Sequence, residues 1–237
     1  MKTKLAETHP LSGTQFQEAP ATIDTSGQER VLGIIKSDSP IFNMGITPDI
    51  VNALVENKVS VLVQRGTGNC LFITDLEYAD NGAEIYDFTL SITAHAHVIV
   101  KTSPITIEEL KLMKTGQIIV APFLPEDFSE AHHRLMSQKQ LSAVAYNFIK
   151  NRDELPFLEA IAHKLHDELS KQKEFSNFFI PLISNLIFNK DIRTSIQTDP
   201  SILQGTYYYK GKLTNKSIAE EYGLPHRDIL ELCWNWN

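Results

Sequence analysis

The stretch that decides the fold is VLGIIKSDSPIFNMGITPDIVNALVENKVSVLVQR at residues 31–65. It contains two short apolar runs rich in β-branched residues, at 31–35 and 59–63, with an amphipathic helical pattern between them. Strands joined through a helix must pair in parallel, because a hairpin cannot connect them. Thr47 and Pro48 suit the N-cap and the first helical position, since proline lacks the amide hydrogen that would be unpaired there. The stretch therefore predicts a βαβ unit within a covered parallel sheet.

Strand and helix patterns continue to alternate up to residue 145. The further predicted strands lie at 84–86, 98–100, 117–120 and 141–145. The helices between them are predicted at 74–79, around 90–92, at 107–113 and at 128–139. This alternation indicates an α/β fold, a three-layer sandwich with a mainly parallel sheet. Ligands of such sheets bind beyond the carboxyl ends of the strands, so a site is expected in the loops at 36–44, 65–71, 101–104 and 121–127.

The pattern becomes helical after residue 150. One amphipathic helix is predicted from a shared face that consists of Leu155, Leu158, Ile161, Leu165 and Leu169. A second, strongly apolar helix follows at 175–188, and Pro181 should bend it. Near the end, Thr214 is the expected cap of a helix at 215–222 that Gly223 ends. The chain then closes with Trp234 and Trp236, which we expect to fold back or to meet a partner surface.

Composition divides the chain into three parts. Residues 1–30 are polar and lack a sustained period, which predicts a flexible arm. Residues 31–150 carry the α/β pattern, and residues 151–237 form a helical connection and a tail that complete the same domain. With 237 residues and 42% hydrophobic side chains, the chain can bury a substantial core.

Charge and cysteine content exclude several classes of protein. The net charge is −7 and no cluster of lysine or arginine is present, so no nucleic-acid partner is expected. Two cysteines, Cys70 and Cys233, form no motif and suit a reducing compartment. No apolar run approaches the ~20 residues that span a bilayer, and no signal-peptide core is seen at the start. We expect a cytoplasmic protein without a membrane partner.

Several short motifs, each different, follow one another along the chain in a characteristic order. They are Gly33-Ile-Ile-Lys36, Gly45-Ile-Thr-Pro48, Arg65-Gly-Thr-Gly68, Phe72-Ile-Thr-Asp75-Leu-Glu-Tyr78, Asn81-Gly-Ala-Glu-Ile85, Val98-Ile-Val-Lys101, Gly116-Gln-Ile118 and, near the end, Tyr209-Lys-Gly211, Leu213-Thr-Asn215 and Gly223-Leu-Pro225. In order and spacing they resemble the N-terminal, substrate-side domain of alanine dehydrogenase and of the nicotinamide nucleotide transhydrogenase α subunit. The resemblance implies a flavodoxin-like or Rossmann-like catalytic domain that the C-terminal segment completes.

In that family an NAD-binding Rossmann domain is inserted into the substrate-side domain. Here the returning helix near Phe179 comes only ~25 residues after the stretch Leu155-Pro-Phe-Leu158 begins, fewer than the ~30 that one βαβ unit needs. Gly66 and Gly68 are followed by Leu71 where a dinucleotide fingerprint requires a third glycine. The resemblance therefore implies that the NAD site is absent and that the chain binds no cofactor of its own.

Three catalytic positions of the family carry inert side chains. The arginine that would clamp the substrate carboxylate aligns with Asn43, the lysine that polarises the substrate with Ser103, and the acid/base histidine with Leu124. An amide, a hydroxyl and an aliphatic chain cannot hold a carboxylate by charge or transfer a proton near neutral pH. No catalytic residue is therefore predicted, and the chain alone should not transfer hydride.

The remaining candidates are binding residues. Lys36, Lys101 and Ser103 lie at predicted strand ends, where a lysine can meet an anion, although a surface lysine inherited with the fold is the simpler interpretation. No recognised metal pattern accompanies the spaced histidines, which are the pairs His95 and His97, His132 and His133, and His163 and His166. No Gly-x-Ser-x-Gly nucleophile motif is present either. Tyr207–Tyr209 are expected to pack against the sheet rather than to stack on bases, because no basic groove flanks them.

Two functions remain open. The first is a catalytically degenerate member of the family that acts as a binding or protein-interaction module. The second is an oxidoreductase component of the alanine dehydrogenase or transhydrogenase type whose NAD-binding domain is supplied by another chain. A lysine-based small-anion enzyme at Lys101 is a weaker third. Because the segment from Phe175 to Phe188 is so apolar, we expect a homodimer or hetero-complex through it and the C-terminal tail.

Overall fold

In the computed structural model, residues 31–65 form the predicted βαβ unit. Strand β1 (Val31–Ile34) pairs in parallel with β2 (Ser60–Gln64), and helix α1 (Pro48–Glu56) connects them. Pro48 is the first helical residue, as predicted. Thr47 is the N-cap by its backbone, but its side chain accepts no capping hydrogen bond. The start of this helix therefore depends on proline geometry and on the burial of Ile50, Val51 and Leu54.

The structure describes residues 30–37, 45–150, 155–165, 167–189 and 191–234, with the side chains of residues 163 and 164 left out. The predicted arm lies outside these ranges except for Arg30. Asn43, His166 and Trp236 also lie outside the described residues, as does the side chain of His163.

Within these described ranges, eight strands form one sheet, in the order β3-β2-β1-β4-β5-β6-β7-β8. The strands after β2 are β3 (Glu84–Tyr86), β4 (Val98–Val100), β5 (Ile118–Val120), β6 (Ser142–Val144), β7 (Thr206–Tyr209) and β8 (Lys212–Leu213). The first six strands are parallel, which confirms the predicted α/β fold, while β7 and β8 join the edge in antiparallel pairing.

Helices cover both faces of the sheet. After α1 they are α2 (Asp75–Asp80), α3 (Thr89–Thr93), α4 (Ile107–Leu112), α5 (Glu130–Gln138), α6 (Phe157–Lys164), α7 (Glu168–Phe188), α8 (Ile192–Thr198), α9 (Pro200–Gly205), α10 (Lys216–Tyr222) and α11 (Ile229–Cys233). Leu32 and Ile34 of β1 belong to one buried core with α1 and α7, whereas Val31 belongs to a second core with α3, α4 and α5. The alternation of side chains along the strand thus produces the predicted three layers. None of the helices in the described ranges is long and apolar enough to cross a membrane.

Helix α7 differs from its prediction in extent and in surroundings. The first helix ends at Lys164, and Leu169 lies in α7 with 81% of its surface exposed, so the predicted continuous face through Leu169 is wrong. The reason is a cap at Asp167, whose carboxylate accepts the backbone N–H of Ser170 at 2.8 Å and starts a new helix.

The apolar face of α7 is covered by the chain itself. Each of its core side chains has at most 4% of its surface exposed, namely Phe175, Phe178, Phe179, Leu182, Ile183 and Leu186. They belong to the same core as β1 and α1. These side chains are therefore buried within the chain, and the homodimer or hetero-complex expected through this segment and the tail stays a prediction.

The C-terminal segment supplies strands as well as helices. All four residues of β7 are buried, so Tyr207, Tyr208 and Tyr209 pack within the fold as predicted. Helix α10 ends at Gly223 in the left-handed conformation, also as predicted. Its cap is Asn215 rather than Thr214, because the Thr214 hydroxyl donates instead to the Thr206 carbonyl at 3.1 Å. Trp234 folds back against the core that contains α7.

Gly33 allows α3 to approach the centre of the sheet. A Cβ atom at this position would lie 2.4 Å from Ile92 Cγ2 and 2.9 Å from Ala96 Cβ. Both neighbours are buried, so neither can turn away into solvent. The close packing of this helix therefore requires a glycine on β1.

Gly33→Ala should lower the free energy of unfolding by about 1–3 kcal/mol, since overpacking a rigid core forces neighbours to shift. Ile92→Ala should cost about 2–5 kcal/mol through the cavity it leaves. The double variant should be more stable than the sum of these losses implies, because the second change removes the clashing methyl group. Urea unfolding of the four proteins measures the coupling, and strict additivity would contradict the proposed contact.

Candidate functional site

The order in which the chain adds strands to the sheet reverses between β1 and β4. From β1 the chain proceeds outward through β2 and β3, and it then returns to pair β4 with the other side of β1 before it proceeds to β5 and β6. The loops after β1 and β4 therefore diverge. In open α/β sheets this switch point is where ligands bind.

A small crevice lies at this switch point. Its walls consist of Ile34, Ile35, Ser37, Gly45, Ile46, Thr67, Cys70, Leu71 and Thr102. Ser37 Oγ accepts the backbone N–H of Thr102 at 3.0 Å, which connects the ends of β1 and β4. The Cys70 thiol lies 3.6 Å from the Ser37 carbonyl oxygen, and the Thr67 hydroxyl donates to the Gln64 carbonyl at 2.7 Å. The crevice thus offers hydroxyl, thiol and backbone groups, and none of these wall side chains carries a full charge.

The wall formed by Gly45 and Ile46 is held from two sides. Gln172 of α7 accepts the Gly45 N–H at 3.2 Å and donates to the Gly45 carbonyl at 2.8 Å. The Tyr78 hydroxyl donates to the Ile46 carbonyl at 2.6 Å. Burial raises the pKa of Tyr78 well above its usual value, so this hydroxyl stays protonated. The crevice is therefore a pre-formed feature of the fold.

Lys101 does not face the crevice as a free cation. It is 6% exposed, and its Nζ lies 2.8 Å from Glu109 Oε1 and 3.1 Å from the Pro104 carbonyl oxygen. Glu109 also accepts the N–H of Thr106, which completes the capping box of α4. The sequence analysis offered two interpretations of Lys101, a surface lysine and an anion ligand. The structure instead buries it with an internal partner, because desolvation of a buried ammonium demands a nearby carboxylate.

Of the other predicted positions, the structure describes Lys36, Ser103 and Leu124. Lys36 is half-buried, and its backbone N–H donates to Gln64 Oε1 at 2.9 Å. Ser103 is half-buried in the loop after β4. Leu124, in the loop after β5, lines a different groove against α5. The alignment of Asn43 with the family's arginine stays a prediction.

The histidines serve local contacts. His95 lies in the turn after α3, and its Nδ1 is 2.8 Å from the Ser91 carbonyl oxygen. His133 Nδ1 is 2.7 Å from the Tyr208 hydroxyl. Among the residues the structure describes, no group of three or more His, Cys, Asp or Glu side chains is arranged to hold a metal ion.

The loops beside β2 and β3 expose an apolar surface that the sequence analysis did not identify. Arg65 pairs with Asp87 at 2.5 Å and with Asp75 at 3.5 Å, which ties the two loops together. The exposed side chains that flank these ion pairs, here called the carboxyl-edge patch, are Phe72 (96% exposed), Phe88 (70%), Leu76 (67%) and Leu90 (58%). The only signal in the sequence was large apolar residues placed next to helix starts, which more often indicate core packing.

Glu109→Gln should lower the free energy of unfolding by about 3–5 kcal/mol, because it leaves the buried Lys101 ammonium without its counter-charge. Glu108→Gln is the matched control, since Glu108 is exposed and its loss should cost less than about 0.5 kcal/mol. Replacing the pair together, with Lys101→Met and Glu109→Leu, should recover part of the loss. Urea unfolding gives the values, and a Lys101→Met variant as stable as the parent would argue for a ligand role of this lysine.

Comparison with known proteins identifies the family of the chain. A family model described as alanine dehydrogenase/PNT, N-terminal domain, matches residues 42–164. Alanine dehydrogenase of Staphylococcus haemolyticus (strain JCSC1435) is 31% identical over 116 residues, which cover 48% of this chain and 31% of that protein. Alanine dehydrogenase of Methanococcus maripaludis is 29% identical over 133 residues, which cover 54% of this chain and 35% of that protein. The matched part of the chain thus spans about a third of the length of these curated relatives.

Solved structures of the same kind are similar over about half of the chain. An L-alanine dehydrogenase has a TM-score of 0.47 and 20% identity, and covers 55% of this chain and 36% of its own. A transhydrogenase from Sinorhizobium meliloti has a TM-score of 0.44 and 24% identity, and the match covers 51% of this chain and 36% of that one. Because the family model matches just over half of its residues, the chain belongs to the alanine dehydrogenase/PNT N-terminal domain family.

Proposed function

We propose that this chain is a catalytically degenerate member of the family that works as a binding and interaction module. The observation that supports this most is the uncharged wall of the crevice at the switch point. Fixing a carboxylate substrate requires a guanidinium or ammonium, and moving its proton requires a group that titrates near neutral pH. Lys101, next in sequence to Thr102 of the crevice wall, is paired with Glu109. Lys36 comes between two wall residues in the sequence but is not itself among the described residues of the wall.

A protein partner fits the carboxyl-edge patch. Its four apolar side chains are 58–96% exposed, whereas the apolar face of α7 is buried within the chain. Exposed apolar side chains grouped around a polar centre are typical of interaction surfaces. We propose that a second copy of the chain covers this patch, in place of the contact through α7 and the tail. Two cysteines without a motif support a cytoplasmic location for this complex.

The alternative is an oxidoreductase component whose NAD-binding domain comes from another chain. The position of the carboxyl-edge patch favours it, because the patch borders the edge of the sheet where the switch-point crevice opens. In this case the patch would receive the second chain, and dinucleotide would bind only to the assembled pair.

A thermal-shift measurement tests both proposals. NAD, NADP, pyruvate and L-alanine should leave the melting temperature of the isolated chain unchanged within about 1 °C, because the proposal gives the chain no site for them. A ligand that did bind would add about 2.7 kcal/mol to the free energy of unfolding at 100 times its Kd, and this would raise the melting temperature measurably. A complete alanine dehydrogenase is the positive control and should shift with NAD. A clear shift of the isolated chain with NAD would contradict the absence of a dinucleotide site. A shift that needs an added dinucleotide-binding chain would select the alternative.

The mass of the protein in solution tests the patch. The double variant Phe72→Ser, Phe88→Ser should convert a dimer to a monomer, because the interface would lose the two aromatic rings that form its apolar contact. The double variant should keep its stability within about 1 kcal/mol, since exposed side chains contribute little to folding. Leu169→Ser is the matched control, as Leu169 is equally exposed but lies on α7. Sedimentation equilibrium decides the outcome, and a parent that is monomeric at all concentrations would contradict self-association.

A further inference from the structure

A hydrogen bond between His133 and Tyr208 joins two parts of the chain that are far apart in sequence. His133 lies on α5, and its Nδ1 is 2.7 Å from the hydroxyl oxygen of Tyr208 on β7. The two rings also contact each other, with 6.0 Å between their centroids. β7 and β8 form an antiparallel pair, here called the C-terminal hairpin. The bond therefore connects this hairpin to a helix of the parallel part of the fold.

The hydroxyl proton of Tyr208 depends on His133 for an acceptor. Tyr208 is 0% exposed, and His133 is the hydrogen-bond partner of its hydroxyl among the residues that the structure describes. Burial raises the pKa of Tyr208 far above its usual value, so the hydroxyl keeps its proton. The neutral imidazole can accept this proton at Nδ1 when its own hydrogen is on Nε2. The contact thus satisfies a buried group that would otherwise be unpaired.

Protonation of His133 would remove this acceptor. Both nitrogens of an imidazolium carry a hydrogen, so Nδ1 could donate to the phenol oxygen but could no longer accept its proton. His133 is half-buried, and protons from the solvent can reach its ring. The hydroxyl proton of Tyr208 would then be buried without a partner, which is costly, and opening of the contact to water would relieve this cost.

The charged side chains of the surrounding elements do not hold His133 in one protonation state. Those of α4, α5, α10 and the C-terminal hairpin that are exposed include both signs, namely Glu108, Glu130, Glu220, Glu221, Lys111, Arg134, Lys210, Lys212 and Lys216. The less exposed Glu109 and Lys139 are engaged elsewhere, with Lys101 and with backbone carbonyls of α4 and its C-cap. Burial lowers the pKa of His133, which favours the neutral ring at neutral pH.

We propose that the His133–Tyr208 contact is an acid-sensitive attachment, in which proton uptake by His133 loosens the C-terminal hairpin from the parallel part of the fold. The contact is intact above the usual pKa of histidine, about 6.5, and weakens as the pH falls below it, because the open form binds the proton more readily. Neither residue lines the switch-point crevice or belongs to the carboxyl-edge patch, so this inference is independent of the proposed function.

Native-state hydrogen exchange at pH 7.5 and 5.5 tests this proposal on the full chain. The reporters are the backbone amides of Lys210 and Gly211, which attach the hairpin by donating to Ser142 Oγ at 3.0 Å and to the Leu141 carbonyl at 2.8 Å. After correction for intrinsic exchange rates, their protection should fall about three- to tenfold at the lower pH, the range set by a histidine pKa of about 6.5 in the open form. Equal protection at both pH values would overturn the proposal.

Two variants separate protonation from general packing. His133→Gln keeps an acceptor but does not titrate, so the protection of the hairpin should change by less than about twofold between the two pH values. Tyr208→Phe removes the hydroxyl, so the pKa of His133, followed by NMR, should move back toward its usual value. His226→Gln is the matched control, because His226 is an exposed histidine of the same C-terminal segment, and it should keep the response of the parent.

A His133→Gln variant with the pH response of the parent would contradict the proposal, as would a parent His133 that titrates at about 6.5 or above. Should a variant fail to fold, the parent alone still decides. The amide chemical shifts of Lys210 and Gly211 should then titrate with the same midpoint as the ring of His133, and a different midpoint would assign the response to another group.

Discussion

The parallel pairing of β1 with two neighbours supports everything else in this molecule. β1 pairs with β2 along its whole length and with β4 through Leu32, Gly33 and Ile34. It has layers of helices above and below, so each of its residues is buried. Parallel strands of this kind are stable only when both faces are covered. Helix α3, which approaches closely at Gly33, covers one face of the sheet, and the long α7 covers the other.

Much of this architecture could be predicted from the sequence, because it follows from periodicity. The β-branched runs at 31–35 and 59–63 and the proline at position 48 lead directly to the βαβ unit. Local competition between equivalent signals could not be resolved in the same way. Thr214 and Asn215 can both cap a helix, and Asp167 can start a new helix within an apolar pattern that otherwise continues to Leu169. In each case a single hydrogen bond, visible only in three dimensions, decides the boundary.

The candidate sites were harder to predict, because they depend on contacts between distant residues. Lys101 follows β4 and Glu109 lies on α4, so no single helical or strand period relates them, yet they form a buried ion pair. The exchange of charged for neutral groups is, by contrast, a prediction that rests on the resemblance alone. The described walls of the crevice carry neutral side chains, and Gln172 and Tyr78 hold one of these walls.

The two edges of the sheet restrict how this protein can associate. One edge is β3, which has three residues and an exposed Glu84, and the other is β8, which has two residues and an exposed Lys212. Edges that are short and charged offer few free main-chain groups to an incoming strand. Fibrillar stacking and β-augmentation are therefore disfavoured even at high protein concentration. Other molecules therefore have to recognise this chain through its side chains. Such recognition is sensitive to single substitutions, whereas strand pairing through main-chain hydrogen bonds is less so.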